Sequence, residues 1–95
     1  MRNKQIYRGK ICVVTGAASG IGRALSLALQ DAGAILAISD INQEGLGITA
    51  ERLGGKTSNS LLVDTLDIAD ASDIESYAPH VKRALGPADY LFNVA

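Results

Sequence analysis

Four small residues near the amino terminus have the spacing of a phosphate-binding loop. Thr15, Gly16, Gly20 and Gly22 lie between a short apolar run and a segment of helical periodicity. In such a loop the first glycine permits a sharp turn, the second lets the backbone approach a pyrophosphate, and the third allows close helix packing. Backbone N–H groups at the helix start then favour an anion. Because glycines also fill ordinary turns, the triplet alone leaves an ordinary turn as the alternative.

An acidic residue follows this loop at the distance expected for a second contact with the same ligand. Asp40 lies eighteen residues after Gly22, where the second predicted strand ends. A carboxylate at this point can accept hydrogen bonds from an adenosine ribose and would repel a 2′-phosphate. Neither Ser19 nor Ile41 supplies a cation to offset that repulsion, so the sequence predicts NAD in preference to NADP. The alternative is that Asp40 only caps the turn before the next helix.

The elements that must position these residues alternate between strand and helix. Short apolar or β-branched runs predict four strands, at 11–14, 34–39, 62–67 and 89–95. The first helix is predicted from one apolar face with Gly33 as its carboxyl-terminal cap. That face consists of Ile21, Ala24, Leu25, Ala28, Leu29 and Ala32.

The two later helices carry more conflicting signals. Asn42 is the predicted N-cap of the second, in which Gly45 and Gly47 each cost about 1 kcal/mol relative to alanine. For the third helix, Ser72 and Glu75 have the spacing of a capping box. An interior proline at position 79 predicts either a bend near 75–79 or a later helix start.

Strands separated by helical segments predict βαβ units and a parallel sheet. The fold class is therefore α/β, the amino-terminal half of a Rossmann-type, doubly wound sheet with about four strands and three helices. Right-handed crossovers put the first two helices on one face of the sheet, and a fourth strand placed beyond the first, at a sheet edge, sends the third helix to the other face. This exposed edge strand, with its apolar side chains, could pair with a second copy of the chain. A homo-oligomer is therefore one possibility that the sequence suggests. The residues concerned are Tyr90, Leu91, Phe92 and Val94.

Composition limits the partners and the size of the core. Ninety-five residues with 47% hydrophobic content allow one small domain with a thin core. The formal net charge of −1 indicates no nucleic acid or anionic membrane as partner. The longest apolar run has five residues, far below the ~20 that span a bilayer, and we expect a cytoplasmic protein. Cys12 is expected to be a buried thiol and His80 a surface residue.

The loop resembles the Thr-Gly-x-x-x-Gly-x-Gly signature of the short-chain dehydrogenase/reductase family. The resemblance extends over residues 8–95. It implies that Ser19 and the Ile21 backbone contact the pyrophosphate, together with Gly16, Gly20 and Gly22, the loop glycines. It also implies that Asp40 and Ile41 contact the adenosine ribose and its surroundings.

Two later segments extend the same resemblance. Asp67 and Ile68 are similar to the Asp-aliphatic pair that contacts the adenine ring in this family, although Asp67 could instead supply negative charge to the following helix. Asn93, Val94 and Ala95 resemble the start of an Asn-x-Ala-Gly motif. In the family this backbone lies near the nicotinamide ribose, and the asparagine braces the central strands.

The family's catalytic Ser and Tyr-x-x-x-Lys have no counterpart among these residues. Four positions after Tyr7, Tyr77 and Tyr90 the sequence has Ile11, Val81 and Val94. The resemblance therefore implies that residues 1–95 are the dinucleotide-binding part of a single domain whose catalytic part is absent. The parent activity would be hydride transfer between NAD and an alcohol or carbonyl substrate, with no metal. Two alternatives are a non-catalytic NAD-binding module and a structural or interaction fragment.

Overall fold

The computed structural model describes residues 6–55 and 58–94. In these ranges three helices alternate with four parallel strands, which are ordered β3-β2-β1-β4 across the sheet. This arrangement confirms the predicted Rossmann-like α/β fold with four strands and three helices. The elements are β1 Ile11–Thr15, α1 Gly20–Asp31, β2 Ile35–Asp40, α2 Gln43–Arg52, β3 Leu61–Thr65, α3 Ala71–Ala84 and β4 Tyr90–Asn93.

The sheet has a separate apolar core on each face. Alternate residues of β1 point in opposite directions, so Cys12 and Val14 pack on one side while Ile11 and Val13 pack on the other. The Cys12 side is covered by α1 and α2, whereas the Ile11 side is covered by α3. Because the crossover from β3 to β4 runs opposite to the first two, right-handedness places α3 on the second face.

The buried face of α1 matches the predicted one only in part, since Leu29 and Ala32 are buried and Leu25 packs against the core. Ile21 is 77% exposed, and Ala24 and Ala28 are also exposed. Gly22 and Ser26 are buried beside Leu29 and were not predicted. The small side chains on this face allow the helix to lie close to the loop and sheet, and Ser26 Oγ is satisfied by donating to the carbonyl of Gly22 at 2.8 Å. The helix ends as predicted, with Gly33 at φ +86°.

The predicted start of α3 is wrong by two residues. Its N-cap is Asp70, whose carboxylate accepts hydrogen bonds from the backbone N–H groups of Ser72 and Asp73. Ser72 is therefore inside the helix, and its hydroxyl donates to Asp70 at 2.9 Å. The helix is continuous through Pro79 rather than starting later. Because proline has no N–H, the carbonyl of Glu75 lacks its usual helical hydrogen bond from position 79. Glu75 and Pro79 are both exposed, so water can donate to this carbonyl instead.

The other boundaries differ by small amounts. β3 ends at Thr65, so Asp67, the last residue of the predicted strand, lies with Ile68 in the following loop. Asn42 caps α2 as predicted, with its side chain accepting from the N–H of Gly45. Within the described ranges, no helix has both the length and the apolar character needed to cross a membrane.

Candidate functional site

The glycine-rich loop joins β1 to α1 in a conformation that depends on its glycines. Gly16 and Gly20 have φ values of +79° and +56°, in the left-handed region that favours glycine. Gly22 is required for space, since a Cβ there would lie 1.8 Å from the carbonyl oxygen of Gly16. The third glycine therefore lets the start of α1 pack closely against the loop itself.

The first half of the loop is held by the end of β2. The backbone N–H groups of Gly16 and Ala17 both donate to the carbonyl of Ser39, at 2.9 and 3.0 Å. The N–H of Ala18 donates to Asp40 Oδ2 at 2.9 Å. Ala17 and Ala18 are buried as a result. The loop is therefore a folded part of the core up to Ala18 and becomes exposed from Ser19 onward.

The start of α1 presents donors to solvent. Ser19 is the N-cap residue, but its side chain makes no capping hydrogen bond, and the first turn contains no acidic side chain. At Gly20 an added Cβ would meet nothing within 4 Å. Helix-terminal N–H groups without a capping side chain, at the positive end of the dipole, fit an anionic ligand.

Asp40 has structural partners as well as spare acceptor capacity. Its Oδ1 accepts from the N–H of Asn42 at 3.0 Å, so the turn-capping alternative describes a contact that exists. Its Oδ2 accepts from Ala18, and the residue is half-buried. A carboxylate offers about four lone-pair sites, so these two bonds leave room for ribose hydroxyls. The turn-capping and ligand-binding roles are therefore compatible.

A small cleft of about 60 Å³ brings five of the predicted site residues together where β1, β2 and β3 end. Ser39 also lines this cleft, and its hydroxyl is buried with no hydrogen-bond partner among the described residues. The five predicted residues are Gly16, Asp40, Ile41, Asp67 and Ile68.

The loop after β3 shows what Asp67 does in the protein alone. Asp67 Oδ1 accepts from the N–H of Ala69 at 2.9 Å, while its own N–H donates to Asp73 at 3.1 Å. Asp70 and Asp73 supply the negative charge at the start of α3. The alternative role of Asp67, as the charge at that helix terminus, is therefore taken by other residues.

Asn93 lies at the end of β4, directly opposite Thr15 on β1. The Thr15 hydroxyl donates to Asn93 Oδ1 at 2.7 Å, and the N–H of Val94 donates to the Thr15 carbonyl at 3.0 Å. These bonds brace the two strands, as the resemblance implies for this asparagine. Ala95 lies outside the described residues.

Arg23 is a residue of this region that sequence reasoning missed. Its guanidinium donates to Thr49 Oγ1 at 2.9 Å, to the Gly45 carbonyl at 3.2 Å and to the Ala18 carbonyl. The partners on α2 lie 22 and 26 residues away in the sequence. No local pattern marks such a contact, which depends on how α2 packs beside α1.

His80 also has a partner that the sequence did not indicate. Its Nε2 lies 3.1 and 3.2 Å from the two carboxylate oxygens of Asp64, across α3 and β3. The side chain is 41% exposed, which agrees with the predicted surface position. This pair lies apart from the 60 Å³ cleft.

Two buried groups near the sheet stay protonated. Burial raises the pKa of Tyr77 to about 12. The nearby Ser39 hydroxyl partly offsets this increase, although the Ser39 and Tyr77 hydroxyls do not form a hydrogen bond. Burial and then the Asp89 carboxylate raise the pKa of Cys12. Neither residue is thereby activated as a base or nucleophile. Among the described residues, no group of His, Cys, Asp and Glu side chains could hold a metal ion.

A parallel sheet with helices on both faces and a glycine-rich loop at the end of its first strand defines a Rossmann-type α/β protein. Comparison with known proteins narrows the class, since a family model described as short chain dehydrogenase matches residues 10–95. The chain belongs to this short-chain dehydrogenase family, which confirms the resemblance found in its sequence.

Individual relatives agree with this assignment. The short chain dehydrogenase/reductase dpmpG of Macrophomina phaseolina is 38% identical over 87 residues, covering 92% of this chain and 50% of the relative. D-threitol dehydrogenase of Mycolicibacterium smegmatis is 40% identical over 87 residues, covering 92% of this chain and 33% of the relative. A crystal structure of a short chain dehydrogenase/reductase from Burkholderia phymatum, in complex with NAD, has a TM-score of 0.81 at 26% identity. The alignment covers 90% of this chain and 30% of the Burkholderia phymatum protein. The chain thus spans half or less of the length of each of these proteins.

Proposed function

We propose that this chain binds a nicotinamide dinucleotide and forms the cofactor-binding part of a short-chain dehydrogenase. The observation that carries the proposal is the joint placement of two features at one edge of the sheet. Exposed helix-terminal donors begin at Gly20, and the cleft containing Asp40 opens beside the same loop. A ligand with both a pyrophosphate and an adenosine ribose matches the two features together. When bound, the nicotinamide supplies hydride transfer with an alcohol or carbonyl substrate.

Each part of the cofactor has a proposed set of contacts. The pyrophosphate would be held by the backbone around Ser19, Gly20 and Ile21, with Gly16 and Gly22 shaping the loop. Asp40 and Ile41 would contact the adenosine ribose, and Asp67 and Ile68 the adenine, because all four line one cleft. The nicotinamide ribose would lie toward Asn93, the last residue of β4. The family resemblance adds Ala95 to this proposed contact.

We further propose a preference for NAD over NADP. Asp40 would place its negative charge beside a 2′-phosphate, and repulsion between unit charges 4 Å apart is about 1 kcal/mol in water and more in a half-buried site. Arg23, the nearby cation of α1, directs its guanidinium to Ala18, Gly45 and Thr49 inside the protein. That engagement supports the same preference, since it leaves Asp40 without a neutralising partner among the described contacts.

The whole protein is proposed to be longer than the present sequence. An apolar cleft of about 640 Å³ opens beside α3 and β4. Leu91 of β4 lines this cleft and is 67% exposed. If a further helix and parallel strand follow β4 on its free side, right-handed crossover places that helix over this cleft. We assign the cleft to that following segment, which would carry the catalytic residues. Reading the gene beyond codon 95 tests this: a glycine codon and a later Tyr-x-x-x-Lys are expected, and an immediate stop codon would contradict it.

Calorimetric titration of the chain with NAD⁺ and NADP⁺ tests the cofactor proposal. We expect NAD⁺ to bind more tightly, and Asp40→Asn to narrow the difference because it removes the charge but keeps an acceptor. Asp64→Asn is the matched control, since it makes the same change beside His80 and outside the cleft. Failure of both nucleotides to bind at millimolar concentration would overturn the proposal and favour a structural fragment.

A further inference from the structure

A buried polar network lies behind the phosphate-binding loop and links it to both neighbouring helices. Thr49 of α2 is fully buried, and its hydroxyl donates to the Ala17 carbonyl at 2.7 Å while accepting from Arg23 Nε at 2.9 Å. Arg23 also donates to the carbonyls of Ala18 and Gly45. One threonine and one arginine thus bind two consecutive loop carbonyls and the first turn of α2.

These contacts fix two peptide units of the loop. In a trans peptide the C=O and the following N–H lie in one plane and point in opposite directions. The unit joining Ala17 to Ala18 is held at both ends, its carbonyl by Thr49 and its N–H by Asp40. The unit joining Ala18 to Ser19 is held by Arg23 through its carbonyl. The Ser19 N–H is therefore turned away from the guanidinium.

The location of Arg23 argues against a purely structural role. A cation near a helix amino terminus is unfavourable, because the dipole there is positive. Arg23 lies close to that end of α1, and the first turn has no acidic side chain to offset it. The described hydrogen bonds of its guanidinium run to neutral oxygens and not to a carboxylate. A positive charge held at this point favours an anion at the exposed donors.

We propose that Arg23 and Thr49 are positioning residues that set the orientation of the loop peptides for the cofactor's pyrophosphate. The inference rests on the proposed function, in which Ser19, Gly20 and Ile21 bind this group through their backbone. The two residues act through the loop, on the side opposite to the ligand. They also couple the loop to α2, because Gly45 and Thr49 belong to that helix.

The test combines NAD⁺ affinity with amide exchange in folded variants. Arg23→Met and Thr49→Val remove the network, Thr49→Ser retains the hydroxyl, and Arg52→Met is the control for loss of an exposed arginine on α2. Because a hydrogen bond to a charged group contributes about one order of magnitude in an equilibrium constant, we expect Arg23→Met to weaken NAD⁺ binding about tenfold. Thr49→Ser should bind as the wild type does.

Exchange of the Ala18 amide gives a readout that needs no ligand. It should become faster in Arg23→Met and Thr49→Val, while the amides between β1 and β2 keep their protection. A role in stability alone would lower the melting temperature without changing affinity or this local exchange. If Arg23→Met does not fold, Arg23→Lys serves instead. We expect an intermediate loss of NAD⁺ affinity from it, because lysine lacks the planar, multiply donating guanidinium group.

The outcomes separate the inference from the proposed function. If folded Arg23 and Thr49 variants bind NAD⁺ as Arg52→Met does and keep Ala18 protected, the positioning role is wrong. If the wild type binds no NAD⁺, the proposed function is wrong. In that case, wild-type exchange rates at Ala18 in the variants would show that the network does not hold the loop either. Faster exchange at Ala18 would show that the network holds the loop although the loop binds no NAD⁺.

Discussion

Asp70 shows at the residue scale how one carboxylate can start a helix and make its stability depend on pH. The Ser72 hydroxyl, followed by the N–H groups of Asp73 and Ser72, lowers the pKa of Asp70 from its ordinary value of 3.8. A lowered pKa in the folded state means that the contribution to stability is present above that ordinary value. It is lost as the pH falls through the folded value.

We therefore expect Asp70→Ala to lower the urea midpoint at pH 6 and to differ less from the wild type at pH 3. The physical reason is that protonation of Asp70 weakens its bonds to the helix N–H groups. Urea unfolding of both proteins at the two pH values measures this. Asp70→Asn is the control, because it keeps an acceptor that does not titrate. An equal difference between wild type and Asp70→Ala at both pH values would contradict the assignment.

The candidate site was predictable where its residues are close in sequence. The spacing of Gly16, Gly20 and Gly22 carries the loop because turn geometry and helix packing constrain each glycine locally. Arg23 was not predictable in this way, since its partners Thr49 and Gly45 approach only when α1 and α2 pack together. Ligand contacts of the predicted residues stay predictions.

At the scale of elements, α2 contains two glycines with opposite meanings. Both were predicted to weaken the helix equally. In the structure, a Cβ on Gly45 would lie 2.9 Å from the Ala18 carbonyl and 3.0 Å from Asn42 Nδ2. A Cβ on Gly47 would meet nothing within 4 Å. Only Gly45 is therefore required for the close approach of α2 to the loop.

We expect Gly47→Ala to raise the free energy of unfolding by about 1 kcal/mol, the helix-propensity difference between the two residues. Gly45→Ala should lower it, because the added methyl displaces the loop or the N-cap side chain at a cost of about 1–3 kcal/mol. Urea unfolding of the two variants compares them directly. Equal stabilisation by both substitutions would show that α2 does not pack on the loop as described.

The element order was more predictable than the element boundaries and faces. Alternation of strand and helix segments predicts a parallel sheet. Once β4 lies beside β1, crossover handedness places α3 on the face opposite to α1 and α2. The buried face of α1 was harder to predict, because Gly22 and Ser26 line it and carry no hydrophobic signal. The start of α3 was missed since Ser72 and Asp70 both have capping side chains, and the carboxylate takes the N-cap position.

At the scale of the molecule, the proposed cofactor site and the large apolar cleft meet near the ends of the strands. Thr15, Ile68 and Asn93 line the large cleft, while Ile68 also lines the small one beside Asp40. The proposed dinucleotide contacts therefore lie along the carboxyl ends of all four strands, and the face beside β4 stays open for the proposed following segment.

The most direct test of the central claim is to follow backbone amide signals by NMR while NAD⁺ is added. We predict the largest shifts at Ser19, Gly20 and Ile21, with further shifts at Ile41 and Ile68. The amides of Ser76 and His80 on α3, which line a different cleft, should not move. Saturating NAD⁺ that shifts the α3 signals but leaves the loop unchanged would contradict the claim that this loop binds the dinucleotide.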